Sequence, residues 1–351
     1  MVQAELGFTP LTEEQAKVAV NLNNPRRALA QFVGNERAKK VVSRAIFAAL
    51  QTKNHSMGEF NFSIIGNSGA GKTKFVSLLA QEVGLPFVTI QPQRAKNVND
   101  VLVAISEVCD NTPTGDGRTL ELQPVAKNHF ILPSMIVFID EVHLLRSKLS
   151  QALLKATEPK DRMLVTELGW TADCRDICWI VATTDRGLLF DAFDTRFVKV
   201  PMLPYTLKQI AQIVKQAYPA WSTAICEEIA KYGGRNARET LALAKDIELE
   251  GRMNGGVDLA VVNTVRGEHG IDKFGMTEQR VEILKALQEG PVSKQRLCYA
   301  ANCKLEELEK YVLPVLETST PDLPSCVAVC SRGCELTQQG IEELRKRGLL
   351  K

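Results

Sequence analysis

The pattern of apolar and polar positions changes twice along the chain. From about residue 26 to residue 201, short β-rich runs alternate with stretches of helical periodicity, which predicts a largely parallel sheet with helices on its faces. Residues 110–128 are rich in Thr, Pro and Gly and too long for an ordinary connection, so we predict a lid, an insertion or a contact loop there. The predicted strands are residues 62–65, 86–90, 135–139 and 177–183.

The strand signals end at about residue 206. Three segments with helical spacing of apolar residues follow, up to about residue 255, and predict a small all-helical domain. After residue 275 come three helical patterns, two short strands around Arg332 and Gly333, and a closing helix, an order that predicts a winged helix. The predicted divisions are an amino-terminal tail (1–24), a large α/β domain (25–202), a helical lid domain (203–273) and a winged-helix domain (274–351).

Composition narrows the class of protein. The chain has 351 residues, of which 45% are apolar and 24% charged, so it can bury more than one hydrophobic core and is neither disordered nor fibrous. Its longest apolar runs, such as residues 135–139, fall far short of the roughly 20 residues that a membrane helix needs. No secretory signal is readable at the acidic amino terminus, so we expect a cytoplasmic protein with no membrane partner.

The number and spacing of the cysteines bear on disulfides and metal binding, and the net charge bears on contact with DNA. Nine cysteines, an odd number, favour reduced thiols over a disulfide framework. The spacing of Cys326, Cys330 and Cys334 invites a zinc interpretation, but no second pair of ligands is nearby, which favours small buried residues instead. With 43 basic and 41 acidic residues the net charge is only +2, so any contact with DNA must be local.

A phosphate-binding loop follows the first predicted strand. Its pattern, G-x-x-x-x-G-K-[ST], lies between a strand and a helix, where backbone N–H groups can point at phosphate oxygens. Lys72 would reach the terminal phosphates of a nucleotide, and the hydroxyl of Thr73 would bind Mg²⁺. A structural Gly-rich turn is the alternative interpretation. The residues of the loop are Gly66, Asn67, Ser68, Gly69, Ala70, Gly71, Lys72 and Thr73.

Two acids end the third predicted strand. Asp140 and Glu141 follow an apolar run, which places them at the carboxyl edge of a parallel sheet, close to the phosphate loop. Asp140 could hold Mg²⁺ together with Thr73, and Glu141 could orient the attacking water. Alone, such a pair is more often a solvated turn; after a phosphate loop, the catalytic interpretation is favoured.

These motifs resemble the AAA+ ATPases, and among them the RuvB family of bacterial Holliday-junction branch-migration motors. Residues 138–143 look like the acid motif of that family, and residues 180–184 resemble its sensor 1, in which Thr183 would detect the γ-phosphate. Residues 234–238 resemble its sensor 2, with Arg238 as the phosphate-sensing residue.

The resemblance also implies how the molecule assembles. It implies an α/β fold with an AAA+ P-loop NTPase domain, ATP and Mg²⁺ as cofactors, and a homo-hexameric ring encoded by a bacterium or a phage. Residues 194–197 match the position of the arginine finger, so Arg196 would complete the site of a neighbouring subunit. Val33 and Tyr205 lie in segments that resemble those enclosing adenine. Taken singly, Arg196 or Arg238 would more often form a surface salt bridge.

A hairpin before sensor 1 is a candidate docking element. In the RuvB family this segment binds the partner protein RuvA. Here residues 162–166 and 175–181 could form the two arms, with Trp170 near the tip as a docking anchor or folded back onto the sheet. A partner could instead bind the loop 110–128.

The DNA-binding surface would be small. From residue 274 to residue 351 there are 11 basic and 11 acidic residues, so the predicted winged helix is neutral. Arg332 and Gly333 at its wing resemble the element of the RuvB family that meets DNA phosphate, and Lys294 and Arg296 could add contacts.

Three functions fit these observations. The first is an ATP-dependent DNA motor that drives branch migration or remodels branched or duplex DNA. The second is an ATP switch, a loader or matchmaker that recruits a protein partner in replication, transposition or phage DNA metabolism. The third is a winged-helix regulator that uses ATP only as a ligand, against which Glu141 and Arg196 argue.

Overall fold

The computed structural model divides the chain into two compact units. The first comprises residues 1–66 and 72–202, and the second comprises residues 67–71 and 203–351. Within them the structure describes residues 27–51, 58, 60–111, 123–126, 129–184, 195–320 and 322–350. The predicted tail and most of the loop 110–128 lie outside the described residues.

The first unit is built around a five-stranded parallel sheet with the strand order β2-β5-β8-β1-β9. Every residue of β5 and β8 is buried, which explains why both read in the sequence as unbroken apolar runs. The predicted α/β fold with a parallel sheet is therefore confirmed. The strands of this sheet are β1 (Phe62–Ile65), β2 (Phe87–Ile90), β5 (Met135–Ile139), β8 (Ile177–Thr183) and β9 (Val198–Pro201).

A second, four-stranded sheet in this unit corrects the predicted hairpin. Its order is β3-β4-β7-β6, and β6 and β7 form an antiparallel pair. The second arm of the hairpin is therefore Thr171–Asp173, and the prediction of residues 175–181 was wrong because that apolar run belongs to β8 in the central sheet. The strands are β3 (Gln123–Ala126), β4 (His129–Ile131), β6 (Met163–Val165) and β7 (Thr171–Asp173).

Helices of the first unit pack on the parallel sheet. Phe75 and Leu79 of α3 are buried, as are Val101 and Ile105 of α4. The carboxylate of buried Glu82 accepts hydrogen bonds from the backbone at the start of α1. The helices are α1 (Arg27–Ala30), α2 (Glu36–Gln51), α3 (Lys72–Val83), α4 (Val98–Asn111) and α5 (Ser147–Ala156).

The second unit begins with four helices. Thr206 and Gln209 form a capping box at the start of α6, and Ser222 caps α7. The three helices predicted between residues 206 and 255 are present, and α9 follows them. The helices are α6 (Leu207–Ala217), α7 (Thr223–Tyr232), α8 (Ala237–Met253) and α9 (Leu259–Glu268).

The last part of the second unit, residues 278–346, is called here the carboxyl-terminal module. Its elements follow in the predicted order, and its third helix is interrupted by a π-helical segment, Leu308–Val312. Leu284, Leu297, Leu316 and Leu344 belong to a buried cluster of its own. The elements are α10 (Glu278–Ala286), α11 (Lys294–Ala300), α12 (Leu305–Glu307), α13 (Leu313–Glu317), β10 (Val327–Cys330), β11 (Gly333–Leu336) and α14 (Gln338–Lys346).

Two sequence expectations concern the molecule as a whole. Among the described residues, no helix has both the length and the apolar character that crossing a membrane requires. All nine cysteines are free thiols. Cys326 and Cys334 are buried in the core of the carboxyl-terminal module, and nowhere in the described part of the chain do three His, Cys, Asp or Glu side chains gather to hold a metal ion.

Candidate nucleotide site

The phosphate loop runs from the end of β1 to the start of α3. Gly69 and Gly71 have φ angles of +76° and +84°, a region that residues with a Cβ rarely adopt. At Gly69 a Cβ would also fall 1.9 Å from the side-chain oxygen of Asn236. The pattern requires Gly71 but not Gly69, and the backbone path of the loop needs a glycine at both positions.

Lys72 is the buried cation of the loop. Its side chain is only 7% exposed, and its Nζ donates a hydrogen bond to the carbonyl oxygen of Gly66 at 2.9 Å. The same nitrogen lies 3.9 Å from Oε1 of Glu141. A lysine held among oxygen atoms in this way can transfer its hydrogen bonds to phosphate oxygens.

Thr73 and Asp140 present two oxygen ligands side by side. The hydroxyl of Thr73 lies 3.5 Å from Oδ2 of Asp140. Burial raises the pKa of Asp140 above its ordinary value; Lys72 counteracts this rise and the charge of Glu141 adds to it. A hydroxyl and a carboxylate are the ligands that Mg²⁺ takes in proteins, and its charge would favour the ionised carboxylate. The side chains present therefore fit this ion.

Glu141 adopts a strained backbone conformation and has a fixed carboxylate. Its φ and ψ angles of 51° and 54° are left-handed, which costs of order 1–3 kcal/mol for a residue with a side chain and is often found at functional sites. Oε2 accepts hydrogen bonds from the backbone N–H of Thr184 at 3.2 Å and from its hydroxyl at 3.1 Å. The carboxylate is thus anchored at one oxygen and lies near Lys72 at the other.

The two threonines at the end of β8 have different environments. Thr183, the predicted sensor, is fully buried, and its hydroxyl lies 2.9 Å from Nδ1 of His143. Thr184, which the sequence prediction missed, is exposed and contacts Glu141. No pattern in the sequence distinguishes the two, because every residue of β8 is buried and Thr184 lies just beyond the end of the strand.

The predicted adenine-enclosing residues are both buried. Val33 is 6% exposed and Tyr205 is 3% exposed. The hydroxyl of Tyr205 donates to the carbonyl oxygen of Ala70 at 2.8 Å, and burial raises the pKa of this phenol. Tyr205 therefore holds the backbone of the phosphate loop.

Within the second unit, Asn236 and Arg238 contact the tip of the loop. Nη1 of Arg238 lies 3.5 Å from the hydroxyl of Ser68, and Nδ2 of Asn236 donates to the carbonyl oxygen of Ser68 at 3.1 Å. Oδ1 of Asn236 accepts from the backbone N–H groups of Arg238 and Glu239 and so caps α8. Asn236 is a site residue that the sequence prediction missed.

Arg196 has partners within its own unit. Its guanidinium donates to the carbonyl oxygen of Leu154 and forms an ion pair with Glu158 at 3.2 Å. The side chain is 26% exposed. Asp194, the start of the predicted finger motif, lies outside the described residues.

Comparisons with known proteins agree with this geometry. The family described as "ATPase family associated with various cellular activities (AAA)" matches residues 62–205. Residues 62–205 form an AAA domain. No curated protein matches the chain.

Solved structures resemble the chain over most of its length. The Thermotoga maritima protein described as the RuvB Holliday junction branch migration motor matches with a TM-score of 0.66 and 22% identity, covering 90% of this chain and 95% of that one. A single-residue variant of the same RuvB matches with a TM-score of 0.67 and 22% identity, covering 90% and 96%. The chain therefore has the RuvB fold, in both the AAA domain and the second unit.

The hairpin of the AAA domain carries an apolar tip. Trp170 is 43% exposed and stacks on Phe130 of β4, with ring centroids 5.2 Å apart. Leu168 is 75% exposed and Val165 is 44% exposed. Trp170 is thus partly exposed to solvent and partly covered by Phe130.

The predicted DNA-contacting residues differ in their availability. Arg332 lies exposed in the turn between β10 and β11, and Arg296 is exposed on α11. Lys294 forms an ion pair with Glu309 at 2.8 Å. Gly333 has a φ angle of +126°, and a Cβ there would fall 2.3 Å from the carbonyl oxygen of Val292, so its role is to let the hairpin pack closely.

Proposed function

We propose that this protein is a Mg²⁺-dependent ATP hydrolase that works as a ring-shaped motor on DNA. The observation that carries the proposal is the cluster of Lys72, Thr73, Asp140 and Glu141 in the AAA domain. It combines a phosphate-binding cation, a pair of Mg²⁺ ligands 3.5 Å apart and a carboxylate held in a fixed position. Positioned groups of these kinds are what phosphoryl transfer to water requires.

Each side chain has a distinct part in this proposal. The loop amides and Lys72 bind the phosphates, so that the ammonium exchanges the carbonyl of Gly66 for phosphate oxygens. Thr73 and Asp140 hold Mg²⁺, which neutralises charge that develops on the phosphates. Glu141 orients the attacking water with the carboxylate oxygen that Thr184 does not anchor.

We further propose that Thr184, rather than Thr183, reports the γ-phosphate to the catalytic carboxylate. Its hydroxyl and its backbone N–H are both bonded to Glu141, so a change in either bond alters the position of the carboxylate. Thr183 instead holds His143 in place through the hydrogen bond between its hydroxyl and Nδ1 of the ring. Arg238 would sense the same phosphate from the second unit, where it already contacts Ser68.

Assembly into a homo-hexamer would bring Arg196 to the site of a neighbour. To act there, Arg196 must exchange Glu158 and the carbonyl of Leu154 for phosphate oxygens, which a guanidinium binds in a forked geometry. Glu141→Gln subunits keep Arg196, and Arg196→Ala subunits keep Glu141. If the proposal holds, each variant alone is inactive and a mixture regains turnover. Full activity of Arg196→Ala alone would contradict it.

DNA would be the polymer on which the motor acts, through the carboxyl-terminal module as a winged helix. Arg332 and Arg296 are exposed for phosphate contact, while Lys294 would have to leave Glu309. Few contacts per subunit predict weak binding that depends on salt and on several subunits acting together. ATP turnover measured with a four-way junction, linear duplex and single strands, alongside ring size, tests this. Stimulation by the junction supports branch migration.

A second candidate, an ATP switch that recruits a protein, is favoured by one observation. The hairpin tip exposes Val165, Leu168 and Trp170, and aromatic anchors of this kind dominate interface energies. A RuvA-like protein would be the partner of a motor, and a replication or transposition protein would be the partner of a switch. Assembly in the presence of ATP with slow turnover and no strand displacement would favour the switch.

The compartment that suits this function is the cytoplasm of a bacterium, or of a cell infected by a phage. Nine free thiols fit the reducing conditions there.

A further inference from the structure

Arg235 has an unusual position beside the residues that hold the phosphate loop. Its φ angle is +61°, a left-handed conformation that is rare for a residue with a long side chain. It directly precedes Asn236, whose side chain donates to the carbonyl oxygen of Ser68 at the tip of the loop. Arg235 is therefore the immediate neighbour in sequence of a residue that contacts the phosphate loop.

The side chain of Arg235 extends to the carboxyl-terminal module. Its Nη1 lies 3.0 Å from the carbonyl oxygen of Thr318, 3.2 Å from that of Leu323 and 3.5 Å from that of Pro324. These carbonyls belong to the connection between α13 and β10, so one guanidinium nitrogen binds three backbone acceptors of this connection. Arg235 is partly buried where it binds these carbonyls, and this burial lowers the pKa of its guanidinium.

A second bond joins the same turn to the phosphate loop directly. Nδ2 of Asn67 donates to the hydroxyl of Thr318 at 3.1 Å, and that hydroxyl in turn donates to the carbonyl oxygen of Pro314 in α13. Both hydrogen-bonding functions of Thr318 are therefore used. All of these residues belong to the second unit.

We propose that Arg235 and Thr318 are positioning residues that couple the phosphate loop to the carboxyl-terminal module. The inference deepens the proposed function and rests on nucleotide binding at the loop. When phosphates enter the loop, its backbone and Asn67 must adjust to them, and the bond from Asn67 to Thr318 changes with that adjustment. Arg235 carries a displacement of Asn236 to the carbonyls of the same turn.

The left-handed backbone of Arg235 indicates that surrounding contacts hold this residue in place. A left-handed residue with a Cβ is strained, and such strain persists only where surrounding contacts fix it. The bonds of the guanidinium to three carbonyls supply those contacts. A glycine at this position has no such strain, so Arg235→Gly removes the bonds without forcing the backbone to change.

Hydrogen–deuterium exchange of the full chain tests the coupling, with the non-hydrolysable analogue adenylyl-imidodiphosphate and Mg²⁺ as the probe. In the wild-type protein we expect protection of peptides covering residues 66–73, and a change of about fivefold in exchange rate at residues 318–327, the equivalent of one hydrogen bond. Arg235→Gly removes the side chain but suits the left-handed backbone. In this variant the change in exchange rate at residues 318–327 should vanish. In the same variant, the factor by which the KM for ATP rises should be about five times the factor by which kcat falls.

Matched variants separate coupling from folding. Thr318→Val keeps the shape of the side chain and removes only the hydroxyl, so it should also abolish the response at 318–327. Thr264→Val removes an exposed hydroxyl that bonds only within its own helix, to Ala260, and should keep the response. Arg235→Lys, with one cationic head for the same carbonyls, should restore part of it. If Arg235→Gly fails to fold, Thr318→Val decides.

The outcomes separate this inference from the function on which it rests. Protection at 66–73 without any change at 318–327 in the wild-type protein would overturn the coupling and leave the nucleotide site intact. A response that survives in both Arg235→Gly and Thr318→Val would overturn it as well. Absence of protection at 66–73 would contradict the proposed function, and the coupling with it.

Discussion

At the scale of residues, the chemistry depends on which oxygen or nitrogen each side chain can reach. The sequence predicted the loop and the two acids because their residue types follow from the chemistry of phosphate and Mg²⁺. It could not distinguish Thr183 from Thr184, since the two are identical in type and adjacent. Their difference arises from the tertiary contacts with His143 and Glu141. The same holds for Asn236, whose partner Ser68 lies 168 positions away.

The two threonines give a paired prediction. Thr184→Val should lower kcat about tenfold, because it removes a hydrogen bond to the charged carboxylate of Glu141, and should leave the thermal midpoint nearly unchanged since Thr184 is exposed. Thr183→Val should destabilise the fold by about 1–2 kcal/mol, because it removes a buried hydroxyl that is hydrogen-bonded to Nδ1 of His143. ATP turnover and thermal unfolding of both variants are the measurements. Equal effects of the two changes on kcat would contradict these roles.

At the scale of elements, the strands with buried apolar runs were predictable, whereas β9 and the second arm of the hairpin were not. The strands β5 and β8 are apolar throughout because both faces of the sheet are covered. The strand β9, an edge strand with two exposed positions and a final Pro201, carries no such run. The second arm of the hairpin, Thr171–Asp173, is short and polar, so the neighbouring apolar run was chosen instead.

Two glycines of the carboxyl-terminal module provide a test of how closely its hairpin packs. Gly333 and Gly290 have nearly equal φ angles, +126° and +129°, but a Cβ at Gly333 would meet the carbonyl oxygen of Val292 at 2.3 Å whereas Gly290 faces open space. Gly333→Ala should therefore be less stable than Gly290→Ala by about 2–3 kcal/mol, the cost of a clash that only backbone movement relieves. Urea unfolding of both variants measures the difference. Similar midpoints would show that the hairpin is not packed as described.

At the scale of the whole molecule, the order of elements was predictable and the junctions between them were not. Apart from α9, which was not predicted, the order of helices and strands after residue 206 is the predicted one, because each element carries its own periodicity. The ion pairs that join distant elements have no such local signal. Arg347, near the end of the chain, is only 5% exposed and pairs with Glu343 and with Asp272, which is 75 positions away.

These ion pairs predict loss of stability in acid. Burial acts to raise the pKa of Asp272, but hydrogen bonds from Arg347 and the backbone more than offset it, so that the pKa lies below its ordinary value of 3.8. The pKa of Glu343 is likewise lowered: burial raises it, and hydrogen bonds from Lys346 and Arg347 outweigh that effect. A lowered pKa in the folded state means that the stabilisation is present above the unfolded pKa and is lost as the pH falls through the folded value.

Asp272→Asn isolates this effect. At pH 7 the variant should be less stable than the wild-type protein by about 1 kcal/mol, since an amide accepts hydrogen bonds from Arg347 less strongly than a carboxylate. Below about pH 4 the difference should begin to narrow, and it should close as the pH falls through the lowered pKa of Asp272 in the folded state. Urea midpoints at pH 7, 5 and 3.5 measure it. A difference that stays constant over this range would exclude Asp272 as the titrating group.

The central claim is that the cluster at the carboxyl edge of the sheet hydrolyses ATP, with Glu141 acting on the water and Lys72 on the phosphates. Glu141→Gln keeps the size and the hydrogen-bonding reach of the side chain and removes only its charge. The most direct measurement is phosphate release with Mg²⁺ and ATP by the wild-type protein and this variant, with ATP binding determined on the same samples. We predict unchanged binding and turnover reduced at least about a hundredfold, the scale of a lost general-base contribution. Normal turnover in Glu141→Gln would contradict the account.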